Sequence, residues 1–475
     1  MRTLGAATGR SFCVKYLCGL CKFIKTYSFY IQSASNNISE TRDKLTDFMY
    51  ICVHCGNYRD CVRNKKPMKV AIIGAGAAGC FCAINLKRMA PGVQIDVFEA
   101  GAKPLAKVAI TGGGRCNLTN SFENISDLRH AYPRGAQLMK RALVHFDQND
   151  CRNWFEQAGV PLVLQEDACV FPASQDAMEI VHTLMREMRF SGISLHCKMR
   201  ISSLERLAQG GYRLRSGGEE FISDAVVVAS GGSPKASGQD FLKALSLKMT
   251  PPVPSLFSFN IADKELKTLM GTAIRDTETA LAGTKFKAKG PLLITHWGLS
   301  GPAVLKLSSY AARELAESNY RGKIIINWLP GDYADDKIHG ILKNNPQKLL
   351  SRVHPEEIPL RLWTMLLKRA SIRDEIRCAE LGSKGLNRLK ETLHRDSYEI
   401  SGKGAYKEEF VTCGGVALEN ISISTLEARE HPKLYFAGEA LDVDAITGGF
   451  NLQAAWSMGY MTAENISKIC INTCL

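Results

Sequence analysis

The chain has 475 residues, of which 45% are hydrophobic and 23% charged. This composition excludes a disordered chain, and the length is enough for two or three domains. No run approaches the ~18 uncharged apolar residues that a membrane-spanning helix needs, so we expect no membrane partner. The net charge of +13 suggests a protein that binds nucleic acid. However, residues 1–67 alone carry 11 Lys and Arg against 4 Asp and Glu, a net charge of +7. The remaining chain is only mildly basic, which argues against nucleic acid as a partner.

Residues 1–67 form an extension that differs from the rest of the chain and holds six of the 16 cysteines. It has no acidic residue before Glu40, a composition typical of transit peptides. Its two CxxC pairs, at 18–21 and 52–55, could bind zinc, although structural zinc sites usually place the pairs closer together. In the alternative interpretation Met68 is the natural start. The many cysteines without a secretory signal indicate reduced thiols and a cytoplasmic location, and we expect no metal site in the body.

A dinucleotide-binding motif follows directly after the extension. A predicted strand, Val70–Ile73, runs into GAGAAG at 74–79 and then into a helix. In this motif Gly74 permits the tight turn, Gly76 lets the backbone approach a pyrophosphate, and Gly79 allows close packing of helix on strand. Glu99 ends the second strand, where a carboxylate accepts the ribose hydroxyls. The expected nucleotide contacts are Gly74, Gly76, Ala77, Ala78, Gly79, Glu99 and Ala100, and they do not distinguish FAD from NAD.

A second glycine-rich turn lies near the C-terminus, in LYFAGEALDVDAITGGFNLQAAWSMGY at 434–460. A short strand, a glycine–acid corner and a glycine pair opening a helix predict another helix N-terminus that favours negative charge. FAD requires such a second element, because its isoalloxazine must be held as well as its adenosine; in the alternative, the glycine pair only packs helix on strand. The expected cofactor contacts are Ser230 and Gly231 after a buried strand, then Gly438, Glu439, Asp442, Gly448, Gly449, Phe450 and Asn451.

The segment TGGGRCNLTN at 111–120 is the third glycine-rich element. A redox disulfide would need a second cysteine five positions after Cys116, but that position is Ser121, so local dithiol chemistry is excluded and Cys116 is better explained by packing. Arg115 offers a forked donor array to pyrophosphate or flavin. Lys107 neutralises a phosphate or is a solvated surface lysine. The expected cofactor contacts are Lys107, Gly113, Gly114, Arg115, Cys116 and Asn117.

Four motifs in order make residues 68–470 similar to a known family: GAGAAG, KxxxTGGGRCNLTN, THWGLSGPAVL and LYFAGEALDVDxxTGGFNLQAAWS. The chain resembles the bacterial FAD-dependent oxidoreductases that include aminoacetone oxidase and the BaiN-type bile-acid enone reductases. The resemblance implies an α/β fold with a discontinuous Rossmann-like FAD-binding domain, an inserted β-rich, barrel-like domain and a small helical subdomain. His296 and Trp297, in the third motif, are candidate substrate-binding residues, with a structural histidine beside a turn as the alternative.

The expected boundaries follow from this domain plan. The proline-rich PPVPSLF at 251–257 is interpreted as the exit to the inserted domain and VTCGGVAL at 411–418 as the return. The predicted domains are the extension 1–67, FAD-binding domain 68–255, inserted β-rich domain 256–330, helical subdomain 331–396, inserted-domain return 397–410 and FAD-binding domain 411–475.

The sequence contains no second GxGxxG between residues 100 and 475, so no second Rossmann domain for NADH or NADPH is expected. We therefore expect a flavoenzyme acting on a small molecule, with a nicotinamide nucleotide docking transiently to drive reduction of a conjugated enone. An oxygen-using amine oxidase is the alternative, and a flavin-dependent tRNA-modifying or RNA-binding protein is a remoter one. No catalytic residue is assigned, since the cofactor itself carries out the redox step.

Overall fold

The computed structural model describes residues 67–233, 236–331, 334–404 and 411–474, so both CxxC pairs of the extension lie outside the described residues. The strands in these ranges are β1 Lys69–Ile73, β2 Gln94–Phe98, β3 Thr119–Asn120, β4 Leu162–Leu164, β5 Cys169–Pro172, β6 Ser194–His196, β7 Ser203–Arg206, β8 Tyr212–Ser216, β9 Glu219–Ser223, β10 Ala225–Val228, β11 Met249–Ser255, β12 Phe259–Ile261, β13 Ala273–Leu281, β14 Lys287–Ile294, β15 Gly298–Ser300, β16 Gly322–Asn327, β17 Asp396–Lys403, β18 Val411–Val416 and β19 Leu434–Phe436.

The α-helices connect and cover these strands. They are α1 Ala77–Met89, α2 Ala106–Gly114, α3 Leu128–Ala131, α4 Ala136–His145, α5 Gln148–Gln157, α6 Ala177–Phe190, α7 Lys264–Lys267, α8 Pro302–Tyr310, α9 Ala312–Glu317, α10 Ala334–Asn344, α11 Leu360–Arg369, α12 Gly382–Arg395 and α13 Phe450–Cys474. Within the described ranges, no helix combines the length and the apolar character needed to cross a membrane.

A five-stranded parallel sheet with the order β19-β10-β1-β2-β6 forms the centre of the first domain. Two of its inner strands carry continuous apolar runs: residues 70–73 of β1 and all four residues of β10 are apolar and buried. Such runs are typical of a parallel sheet that is covered on both faces. Helices α1 and α13 approach each other closely at Gly459, where a Cβ atom would lie only 2.7 Å from the carbonyl oxygen of Ala78.

A closed, six-stranded barrel forms the inserted domain, with the order β12-β15-β14-β13-β16-β17. Helices α10, α11 and α12 lie between β16 and β17 along the chain and share a second hydrophobic core with the barrel. The predicted fold class is therefore confirmed: a Rossmann-type sheet carries an inserted barrel and a small helical part. The exact domain boundaries stay a prediction.

The exit from the first domain is a strand rather than an irregular segment. Strand β11 pairs antiparallel with β18, the returning segment, and the register shifts between Thr250 and Val253. Pro251 and Pro252 lie at this shift, where a residue without a backbone N–H is tolerated. The chain thus leaves for the barrel and returns from it side by side.

Candidate functional site

The first glycine turn lies at the carboxyl end of β1. Gly74 has φ +106°, and a Cβ there would lie 2.3 Å from the carbonyl oxygen of Ala229 at the end of the β10 segment. A Cβ on Gly79 would lie 2.0 Å from the oxygen of Gly74, whereas one on Gly76 would meet nothing within 4 Å. Gly74 and Gly79 are therefore required because any larger side chain would overlap neighbouring backbone atoms. Gly76 instead leaves space beside the N-terminus of α1.

The N-terminus of α1 is free to bind an anion. No side chain caps it, and its first turn contains no acidic residue. The first N–H groups of a helix lack partners within the helix and carry partial positive charge. With the space at Gly76, these donors suit a phosphate group of a dinucleotide.

Glu99 lies beside this turn and is held by backbone donors. Its Oε2 accepts from the N–H of Ala75 at 3.0 Å, and its Oε1 accepts from the N–H of Gly101 at 2.6 Å. A carboxylate has about four lone-pair positions, so both oxygens keep capacity for further donors. This arrangement can accept ribose hydroxyls.

The three glycines of TGGGRCNLTN all adopt left-handed backbone conformations. Gly112, Gly113 and Gly114 have φ values of +60°, +68° and +82°. Residues with a Cβ disfavour this region, which is why three glycines stand in succession. A Cβ on Gly113 would meet nothing within 4 Å, so this part of the loop also leaves space. The loop forms the end of α2, which loses helical geometry at Thr111.

Hydrogen bonds join this loop to the C-terminal glycine turn, more than 300 residues away. With the Asn117 amide oriented so that each of its ends meets a complementary group, its nitrogen donates to the carbonyl of Thr119 at 3.0 Å and its oxygen accepts from the N–H of Gly449 at 3.3 Å. The Asn120 amide donates to the carbonyl of Gly448 at 3.0 Å. A Cβ on Gly449 would lie 2.4 Å from the oxygen of Thr119. The two predicted motifs are therefore one structural unit, with the N-terminus of α13 fixed by the loop.

These elements enclose a cavity of about 530 Å³, within the range of cofactor sites. Fifteen of the predicted cofactor residues line it: Gly74, Gly76, Ala77, Ala78, Glu99, Lys107, Gly113, Asn117, Ser230, Gly231, Gly438, Glu439, Gly448, Gly449 and Asn451. The sequence-based list missed several apolar lining residues, among them Leu256, Leu305 and Met458. Leu305 lies on α8, so the inserted domain contributes to the wall.

Other predicted residues do not line the cavity: Gly79, Ala100, Gly114, Arg115, Cys116, Asp442, Phe450, His296 and Trp297. His296 and Trp297 occupy the turn between β14 and β15, with their rings 4.3 Å apart. The guanidinium of Arg115 lies over the ring of Phe171. Asp442 Oδ1 is 3.7 Å from Arg313 Nη2. The binding roles assigned to these residues stay predictions.

Lys107 lines the cavity in an ion pair. Its Nζ lies 3.0 Å from Oε2 of Glu439, an oxygen that also accepts from the N–H of Gly232 at 3.4 Å. The lysine side chain is 57% exposed, so the pair is close to solvent and contributes little stability. Lys107 therefore remains available to a phosphate.

A buried ion pair supports the site, and sequence reasoning did not select it. Asp444 is fully buried and forms a two-pronged pair with Arg134, including Arg134 Nε to Asp444 Oδ1 at 2.5 Å. Ser255 Oγ donates to the same carboxylate at 2.9 Å, and Arg134 Nη1 donates to the carbonyl of Ser309 at 2.8 Å. Burial raises the pKa of Asp444, while the hydrogen bonds from Arg134 oppose this shift. The pair ties the C-terminal glycine turn to β11 and to α8.

Cys116 is buried, and burial raises the pKa of its thiol to about 12, with a hydrogen bond involving Thr111 lowering it in part. The thiol is therefore protonated at neutral pH. We expect iodoacetamide to leave Cys116 unmodified in the native protein, because the thiolate is the nucleophile. Peptide mapping by mass spectrometry checks this, with the half-buried Cys197 as the internal control. Alkylation of Cys116 before Cys197 would contradict the packing role.

The cavity residues fit FAD. An uncapped helix N-terminus beside Gly76 suits the pyrophosphate, Glu99 suits the ribose, and a second helix N-terminus at Gly448 and Gly449 forms another part of the wall. A dinucleotide-binding turn and a second glycine-rich helix N-terminus in the wall of one cavity are the arrangement of an FAD-dependent oxidoreductase. The protein is an enzyme of this class.

Comparison with known proteins identifies the family. A family model described as "HI0933-like protein Rossmann domain" matches residues 68–465. The chain therefore belongs to the HI0933-like family of FAD-dependent oxidoreductases, which confirms the resemblance found in the sequence.

Three relatives are similar over almost their whole length. A ribosomal RNA dihydrouridine synthase of Haemophilus influenzae is 30% identical over 408 residues, which covers 84% of this chain and 98% of the relative. The enzyme of the same name from Escherichia coli is 30% identical over 405 residues, 83% and 97% of the two chains. A 3-dehydro-bile acid delta(4,6)-reductase of Clostridium scindens is 27% identical over 407 residues, 83% and 98%.

Proposed function

We propose that the protein uses NADH or NADPH to reduce a carbon–carbon double bond conjugated to a carbonyl group, and that its substrate is uridine in ribosomal RNA. The observation that carries the proposal is the match to two ribosomal RNA dihydrouridine synthases over nearly their full length. Dihydrouridine is uridine with its ring double bond saturated, and that bond is conjugated to a ring carbonyl. The bile-acid reductase is named for a related reaction.

The relatives therefore weigh against our expectation that nucleic acid is not a partner. That expectation rested on a charge excess concentrated in the extension, but the named substrate of these relatives is an RNA. A free conjugated enone is the second candidate, and the 27% identical bile-acid reductase favours it. Both candidate substrates contain the same type of bond, a carbon–carbon double bond conjugated to a carbonyl group. A cytoplasmic location remains our prediction.

Bound FAD would supply two-electron hydride-transfer chemistry between the nicotinamide nucleotide and the substrate. The chain's own residues would bind the cofactor and orient the substrate. The backbone N–H groups at the start of α13, held by Asn117 on Gly449, stabilise negative charge in the cavity. Leu256 and Leu305 add apolar surface to the cavity wall from the side of the inserted domain. A uridine has to leave its base stack to enter this cavity.

Anaerobic spectroscopy of the purified flavoprotein tests the proposal. We expect NADH or NADPH to bleach the flavin absorbance, and unmodified transcribed ribosomal RNA to restore it with formation of dihydrouridine, quantified by nucleoside mass spectrometry. A steroid enone in place of RNA tests the second candidate. If neither nucleotide bleaches the flavin while an amine does, with oxygen consumed on reoxidation, the protein is an amine oxidase and the proposal is wrong.

A further inference from the structure

One hairpin of the barrel carries much of the positive charge found after the extension. Strands β13 and β14 with their turn span residues 273–294, and their charged residues are Arg275, Lys285, Lys287 and Lys289 against Asp276 and Glu278. With Lys306 on α8, this region has a net charge of +3, half of the net +6 that residues 68–475 carry. The mild basic excess of the enzyme is therefore concentrated on one part of the barrel.

Two lysines of β14 project from the same face of the strand. Lys287 and Lys289 are 66% and 69% exposed, whereas Ala288 between them is buried. Successive side chains of a strand alternate between its faces, so these two lysines start about 6.6–6.8 Å apart on the outer face. That spacing is comparable to the distance between successive phosphates of a nucleic-acid strand, so each ammonium group can meet its own phosphate.

A third lysine, Lys306 of α8, lies against the same strand. Its Nζ donates to the carbonyl of Lys289 at 3.4 Å, and a Cβ on Gly290 would lie 3.9 Å from this Nζ. Lys287, Lys289 and Lys306 are called the lysine cluster below. Lys306 directly follows Leu305, a residue that lines the cavity. Helix α8 therefore connects the lysine cluster to the cavity wall, although the lysines themselves do not line the cavity.

A single carboxylate faces the lysine cluster at ion-pair distance. Glu278 lies opposite Lys289 in the β13–β14 register, with its Oε2 3.5 Å from Lys289 Nζ and its Oε1 3.7 Å from Lys287 Nζ. Asp167 attracts Lys306 without forming an ion pair with it. Ion pairs between exposed side chains contribute little free energy. In the described part of the chain, the lysine cluster therefore keeps a net positive charge that a ligand can use.

We propose that the lysine cluster binds phosphates of the RNA strand whose uridine enters the cavity. This inference rests on the proposed function. Contacts to phosphates position a nucleic acid without reading its sequence, and the lysine ammonium is a point charge that accepts a phosphate from many directions. Charge complementarity favours RNA as the occupant, because a free steroid enone offers no anion to three lysines.

Salt-dependent binding of unmodified transcribed ribosomal RNA to the full-length holoprotein tests this surface. Each phosphate contact contributes about 0.7–0.9 to the slope of log affinity against log salt. The double variant Lys287→Gln/Lys289→Gln is expected to raise the Kd and to lower the slope by about 1.4–1.8, and Lys306→Gln to lower it by about 0.7–0.9. The double variant Lys287→Arg/Lys289→Arg keeps both charges and is expected to keep the slope.

Glu278→Gln is expected to change binding in the opposite direction. It replaces the shared carboxylate by a neutral amide of the same size, so both lysines lose a competing anion and the Kd for RNA is expected to fall several-fold. Damage to the fold would not tighten binding, so this variant separates an electrostatic effect from a structural one. The matched control is Lys384→Gln on α12, an exposed lysine outside the hairpin, which is expected to change neither the Kd nor the slope.

The outcomes separate this inference from the proposed function. If the wild-type protein reduces RNA and the lysine-cluster variants bind RNA with unchanged Kd and slope, the inference is overturned and the function stands. Equal weakening by Lys384→Gln also overturns it, since the effect would then be nonspecific. Vesicles of anionic lipid provide a second polyanion, and vesicle binding that needs the lysine cluster while RNA binding does not overturns it as well. A wild-type protein that neither binds nor reduces RNA contradicts both.

Discussion

Replacing Asp444 with alanine is expected to lower the free energy of unfolding by about 3–5 kcal/mol. The substitution leaves the guanidinium of Arg134, whose side chain is only 17% exposed, without its counter-ion. A buried charge that has lost its partner keeps its desolvation cost without the compensating attraction. Chemical denaturation of the FAD-free protein, followed by tryptophan fluorescence, measures the change.

A double-mutant cycle provides the control for this prediction. Arg134→Ala is expected to cost a similar amount, because it strands the buried carboxylate of Asp444. The double variant is expected to cost clearly less than the sum of the two, since neither charge is then left unpaired. Costs that simply add, or a loss below about 1 kcal/mol for either single variant, would show that the pair does not stabilise the junction.

Gly79→Ala and Gly76→Ala are expected to fail in different ways, although the two glycines belong to one motif. At Gly79 the new Cβ would lie 2.0 Å from the backbone oxygen of Gly74, so the turn must move, at a cost of about 3 kcal/mol or more. At Gly76 the Cβ meets nothing in the protein within 4 Å but projects into the space proposed for the pyrophosphate. We expect Gly76→Ala to keep the stability of the FAD-free protein and to raise the Kd for FAD at least about tenfold, or about 1.4 kcal/mol.

Thermal denaturation without FAD and titration of the stripped protein with FAD measure the two effects separately. Gly92→Ala is the matched control, because a Cβ there also meets nothing within 4 Å and the residue does not line the cavity. It is expected to change neither stability nor FAD affinity appreciably. Normal FAD affinity in Gly76→Ala would remove this turn from the cofactor site.

The local motifs were readable in the sequence because each has a strict backbone requirement. Strand, GAGAAG and helix succeed one another within about 20 residues, and Glu99 follows at a distance that the second strand determines. The barrel and the helical part came from the family resemblance rather than from periodicity, since the short barrel strands, such as the three residues of β12, carry weak patterns.

The prediction of Arg115 as a cofactor contact followed its position after three glycines, but nothing in the sequence placed Phe171 beneath its guanidinium. Asp442 and Asp444 look alike in the sequence, and Asp442 was selected. In the structure Asp444 is the fully buried partner of Arg134, because the paths of β11 and α8 bring Ser255 and Ser309 to the same point.

The sequence by itself determined the three glycine-rich elements and, through the family that its four motifs resemble, the class of fold, since each motif consists of residues that are close along the chain. Only the tertiary structure decided that Asn117 and Asn120 join the loop at 111–120 to the C-terminal glycine turn, and that Leu305 of the inserted domain lines the cavity. Such contacts join segments that are far apart along the chain, and their geometry depends on how whole domains pack, which no local pattern encodes.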